Sequence, residues 1–175
     1  MDDRAVKRVW WKRYESWTVV VVAVLLLSCG VWLTAVRRDI RAFYATVQAR
    51  EIRHALMAYA SAHQGQLPSG PAWRQTLLLH SPGYAEMLKS PMAVRLREQS
   101  YCMVDGWTEA LLDKHKINRD EHILMFENPA STDANDLAIV TWSGMGMRLP
   151  REEVLRRLAA MRTGDGKPVT WEGMK

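Results

Sequence analysis

The chain is poor in the residues that most often build sites. It has two cysteines in 175 residues, and no CxxC or paired-histidine spacing. That excludes a disulfide scaffold and a structural zinc site. It has no GxSxG, no SxxK and no glycine loop able to cradle a phosphate. Ser143-Gly144-Met145-Gly146 is glycine-rich but too short for a nucleotide. No internal repeat or low-complexity block is present. On these grounds the expectation is a non-enzyme without a cofactor. Positive charge is also lacking beyond the first third. Residues 1–53 hold ten Lys/Arg and five Asp/Glu, whereas residues 54–175 hold fourteen of each. The formal net charge of +5 therefore describes membrane flanks rather than a nucleic-acid face, and no nucleic-acid partner is expected. An apolar fraction of 48% excludes wholesale disorder, and the length allows one compact domain with an anchor.

The anchor is a run of 21 uncharged residues, Ser16 to Val36. A helix of that length covers about 31 Å, close to the hydrocarbon thickness of a bilayer. Trp10, Trp11, Tyr14 and Trp17 gather at one end, where amphipathic rings favour the headgroup zone. Arg4, Lys7, Arg8, Lys12 and Arg13 precede the run; Arg37, Arg38 and Arg41 follow it. The slightly more basic near flank predicts an N terminus inside and a domain outside the cytoplasm. A second reading uses the same residues. The run Leu26-Leu27-Ser28-Cys29-Gly30 resembles the end of a bacterial lipoprotein signal, which would make Cys29 the lipidated N terminus. Val31, Trp32, Leu33, Ala35 and Val36 continue the apolar run where a lipoprotein has a polar tether.

Helical spacing does not stop at the membrane. Ile40, Phe43, Tyr44, Val47, Ile52, Leu56 and Tyr59 recur at steps of three to five, and no Pro or Gly interrupts residues 31–64. Gly65 and Pro68 then provide a stop. The expectation is one helix from about Trp17 to about Gln64. Short elements should follow: helices over Pro71–His80 and Trp107–Lys116, a turn over Tyr84–Leu88, and strands over Ser100–Val104, His122–Phe126 and Leu137–Trp142. The Ser143–Gly146 turn should return Met147–Leu149 as a hairpin partner. Pro150–Met161 is an amphipathic helix with Val154, Leu155, Leu158 and Met161 on one face. The predicted fold class is α+β, a long N-terminal helix packed on a small antiparallel sheet with short helices. The predicted segments are a basic cytoplasmic flank (1–15), a transmembrane segment (16–36), an amphipathic continuation (37–64), a domain (65–162) and a loose tail (163–175).

That plan, with particular stretches of sequence, resembles type IV pilins and type II secretion pseudopilins, including planctomycete-type relatives with a prepilin-type N terminus. The stretches are Ala49–Pro68 (AREIRHALMAYASAHQGQLP), Trp73, Leu77–Leu79, Leu88-Lys89-Ser90-Pro91 and Tyr101. They continue with HILMFE, Leu137–Trp142 and Leu149-Pro150-Arg151-Glu152-Glu153. The likeness covers residues 16 to 162. It implies a bacterial inner-membrane protein or filament subunit, assembling with its own copies or with other pilin-like subunits. Thr18, Val21, Val22, Leu25, Cys29 and Trp32 would then form the helix–helix contact. It also implies processing between Ser16 and Trp17. Here Ser16 replaces the family's glycine and Val21 its glutamate, and Ser143-Gly144-Met145 replaces a usual Asp-Gly-His. The other reading open at this point is a tethered or lipidated binding domain that does not polymerise.

Few further residues suggest chemistry. Asp133, Asn135 and Asp136 form an oxygen-rich loop of the kind that holds calcium in some pseudopilins. EF-hand spacing is absent, and an Asx turn is the alternative. His54 and His63, nine residues apart on a helix, point to opposite sides. His115 and His122, with Glu121, form a conceivable metal or acid–base cluster, set against plain solvated loop residues. Cys102 is expected in the core, unpaired with Cys29. Trp73, Trp107, Trp142 and Trp171 are core residues or pocket walls.

Overall fold

The computed structural model describes residues 3–70, 72–95, 99–163 and 166–169, with side chains from residue 17 onward. Two compact units emerge, residues 1–40 and 41–175. Helix α1 (Asp3–Ala62) supplies all described residues of the first unit and opens the second. It starts well before Trp17, because nothing between Asp3 and Trp17 breaks a helix. It ends where Gln64 and Gly65 turn left-handed (φ 56° and 79°) and the Gly65 N–H reaches the Ala60 carbonyl at 2.8 Å.

In the second unit four strands form an antiparallel meander in the order β1-β2-β3-β4. They are β1 (Tyr101–Met103), β2 (Ile123–Glu127), β3 (Asp136–Thr141) and β4 (Gly146–Pro150). Three short helices join them: α2 (Trp73–His80), α3 (Glu109–Lys114) and α4 (Arg151–Ala160), with a 3₁₀ turn at Pro82–Tyr84. The expected elements are therefore all present, with ends shifted by a few residues except at the much earlier start of α1. Every residue of β2 is buried, and all of β3 except Asp136. A strand covered on both faces has no reason to alternate, which explains the unbroken apolar runs ILMF and LAIV. The register pairs Tyr101 with Glu127 and Ala138 with Arg148, so this set shares one face of the sheet. The alternate set, with Cys102, Phe126, Leu137 and Ile139, is equally buried, and α4 lies against β3 and β4.

The face that α1 turns to the sheet keeps Ile52 and Leu56 of the expected stripe but not its first residues. Ala45, Ala49, Ile52, Ala55, Leu56 and Ala60 are buried, while Ile40, Phe43 and Tyr44 are exposed. The 45-49-52-56 spacing is a sound helical stripe, but alanine contributes little apolar signal. Its small side chain lets a helix lie close to a sheet, which a ring at the same position would prevent.

Arginines lock the helix to the hairpin. Arg50 Nη2 donates to the Gly146 carbonyl at 2.9 Å, and Arg53 Nε to that of Trp142 at 3.1 Å. The turn's glycines make this approach possible. A Cβ on Gly146 would meet Arg50 Nε at 2.5 Å, and Gly144 has φ 97° with Arg53 Nη1 at 3.0 Å from its would-be Cβ. The C-terminal segment also departs from expectation. Arg162 bridges Pro168 and Val169 is 1% exposed, so the described part of the segment past residue 162, residues 163 and 166–169, packs back on the domain. Trp171 lies outside the described residues.

Candidate functional site: the anchoring helix and its clamp

In the first unit, α1 contains a stretch long and apolar enough to cross a membrane, and none of its window is buried. Thr18, Val21, Val22, Leu25, Cys29 and Trp32 are all exposed there. The hydroxyls within the stretch are served locally: Ser28 donates to the Val24 carbonyl at 2.8 Å and Thr34 to that of Val31 at 2.7 Å. In hydrocarbon an unserved hydroxyl would cost several kcal/mol, on the order of 2–7. The stretch is compatible with a single-pass anchor.

The predicted processing bond, Ser16–Trp17, falls inside α1. Its backbone hydrogen bonds must open before a peptidase can take it in extended form. Cys29 is a free thiol on a helical run that continues unbroken on both sides. The intact mass of protein purified from membranes should therefore show no cut at Ser16–Trp17 and no lipid on Cys29. A chain starting at Trp17, or a lipid-bearing one starting at Cys29, would overturn that. Cys29→Ser should leave membrane retention unchanged.

In the second unit Tyr101 and Arg148 reach the carbonyls of Ala45 and Ala42 on the helix, beside a buried carboxylate that the sequence did not single out. Glu127, fully buried at the end of β2, accepts from the Ser90 hydroxyl, from the Ala138 N–H at 2.9 Å and from Arg148 Nη1 at 3.2 Å. Arg148 also donates to the Asp136 carbonyl. Beside it, the Tyr101 hydroxyl donates to the Ala45 carbonyl of α1 at 2.9 Å. Burial, reinforced by the charge of Glu127, pushes the Tyr101 hydroxyl well above its usual range, so it stays protonated and keeps donating. One carboxylate thus ties β2, β3, β4 and the Ser90 loop together, next to the tyrosine that grips the helix.

Asp133, Asn135 and Asp136 are exposed, and the described residues contain no group of three or more His, Cys, Asp or Glu able to hold a metal. Arg151 braces the loop: its Nη2 donates to the carbonyls of Pro129 (3.1 Å) and Thr132, and its backbone N–H to the Asn135 carbonyl at 2.7 Å. Thr132 Oγ1 accepts from the Ala134 N–H, and Asn128 Oδ1 from that of Ala130, in the local turns expected of such residues.

The histidines divide. His54 and His63 are exposed, and His63 stacks on Tyr59 at 3.8 Å with His80 edge-on at 5.7 Å. His122 is buried, contrary to a solvated loop, and meets the Trp107 ring edge-on at 4.7 Å; His115 meets the same ring at 6.0 Å. Burial pushes the His122 imidazole down to about 4, so it is neutral near pH 7. Both histidines touch Trp107, but they form no metal group with Glu121. Trp73 and Trp142 are core residues, as is Cys102.

No family model, no curated protein and no solved structure matches this chain.

Proposed function

We propose that the chain is a pilin-like structural subunit, anchored in a bacterial inner membrane by one pass of α1 and assembling sideways through that helix. Its domain stands outside the cytoplasm, and its partners are copies of itself or similar subunits. One observation carries the reading. The domain covers the alanine face of α1 and leaves Phe43 and Tyr44 bare, 65% and 56% exposed. Large rings exposed next to a membrane span suit an interface better than solvent. Within the span, Thr18, Val22, Leu25, Cys29 and Trp32 follow the four-three spacing by which packed helices meet.

Cys29 supplies a test, because Cys102 is buried. In membranes, oxidation of the unaltered protein should give a disulfide-linked dimer. Moving the cysteine along residues 18 to 32 in a Cys29→Ser background should give cross-linking that rises and falls every three to four positions. Uniform cross-linking, or none, would reject a specific helix contact. The runner-up, a tethered domain that binds a ligand without polymerising, draws support from a cleft on the domain.

A further inference from the structure

The loop after α3 and the C-terminal end of α4 border an open cleft of about 850 Å³. That lies within the range of about 300–1,000 Å³ usual for small-molecule sites. Its cations come from both sides: Lys116 from the loop, and Arg156, Arg157 and Arg162 from α4 and the segment after it. Glu121 is the one acid among the described lining residues. Glu153 engages Arg156 and Arg157 at 2.7–2.8 Å, but Lys116 and Arg162 have no carboxylate partner among the described residues. The walls are apolar, with Trp107, Ile117 and Met161.

Two details set this cleft apart from a solvated basic surface. Trp107 Nε1 and His122 Nε2 belong to side chains 5% and 7% exposed that line the cleft, and neither nitrogen has a hydrogen-bond partner among the described residues. An indole N–H can only donate, and leaving such a group buried and unpaired costs about 1–3 kcal/mol. The second detail is Lys116. It ends α3 with φ 53°, its N–H bonded to the Asp113 carbonyl and that of Ile117 to the Leu112 carbonyl. Glycine is the usual residue for that left-handed position, so a lysine there gives up stability to put an ammonium at the cleft's edge.

We propose that this cleft binds a small organic anion, a carboxylate or phosphate carried on an apolar ring-bearing body. The charged end meets Lys116 and Arg162, the body lies against Trp107 and Met161, and an acceptor on the ligand supplies the partner that the Trp107 N–H lacks. Guanidinium and ammonium donors suit such a head group, and the apolar walls select against a bare inorganic ion.

The test is calorimetric titration of the full-length protein, held in nanodiscs of zwitterionic lipid, with phenyl phosphate, benzoate and inorganic phosphate. Phenyl phosphate or benzoate should bind saturably, more weakly as salt rises, and more tightly than inorganic phosphate. Lys116→Gln with Arg162→Gln should weaken binding about ten- to hundred-fold at an unchanged melting temperature. Lys89→Gln, on a lysine that does not line the cleft, should change nothing. Should the double variant lose its melting transition, Lys116→Gly is the substitute, since glycine suits the backbone there, and it should still weaken binding. Absence of saturable binding by either ring-bearing anion would overturn the proposal. So would inorganic phosphate binding equally well, or indifference to loss of the two cations.

Discussion

Replacing Glu127 with alanine will destabilise the domain by about 3–5 kcal/mol, the usual effect of removing one partner from a buried ion pair. The reason lies in what remains. Arg148, whose side chain is 19% exposed, loses its carboxylate, and the Ser90 hydroxyl and the Ala138 N–H lose their acceptor. Glu127→Gln keeps the shape and an acceptor oxygen and should cost less, about 1–3 kcal/mol. Glu127→Met combined with Arg148→Met should recover part of the loss, because a paired apolar replacement removes both unsatisfied charges. Urea unfolding of the full-length protein in detergent, followed by tryptophan fluorescence, would measure these differences. A loss below about 1 kcal/mol for the alanine variant would mean that the network does not hold the strands together.

The second large effect concerns the span. Arginines at both Val22 and Leu25 should abolish stable membrane retention. Each charge near the centre of a spanning helix costs about 2.5–3.5 kcal/mol on insertion scales, so the pair approaches about 5–7 kcal/mol. Alkaline extraction of membranes should release this variant, while the parent and Cys29→Ser stay in the pellet. Full retention of the arginine variant would show that something other than this stretch anchors the chain.

Much of the fold was legible because local signals agree with the global structure. The uncharged run, the Gly65 stop, the apolar runs of β2 and β3 and the Ser143–Gly146 turn each point to one conformation. The face of α1 was not legible. Residues 40–60 carry two apolar stripes, and hydropathy favours the one with rings, while close packing favours the one with alanines. Glu127 was hidden at the end of a strand, because only the register reveals that Arg148, Ser90 and Ala138 converge on it. The cleft was hidden for a similar reason. Lys116 and Arg162 are far apart in sequence, and no periodicity relates a loop after one helix to the end of another. His115 and His122 were visible as a pair, but their contact with Trp107 depends on burial that spacing alone does not encode.

The most direct test of assembly through the helix is the number of copies per complex of the unaltered protein in native membrane, counted by native mass spectrometry from lipid-bilayer particles. The account predicts complexes of two or more copies, reduced to single copies when Phe43 and Tyr44 are both changed to aspartate. Single copies in the unaltered protein would contradict it.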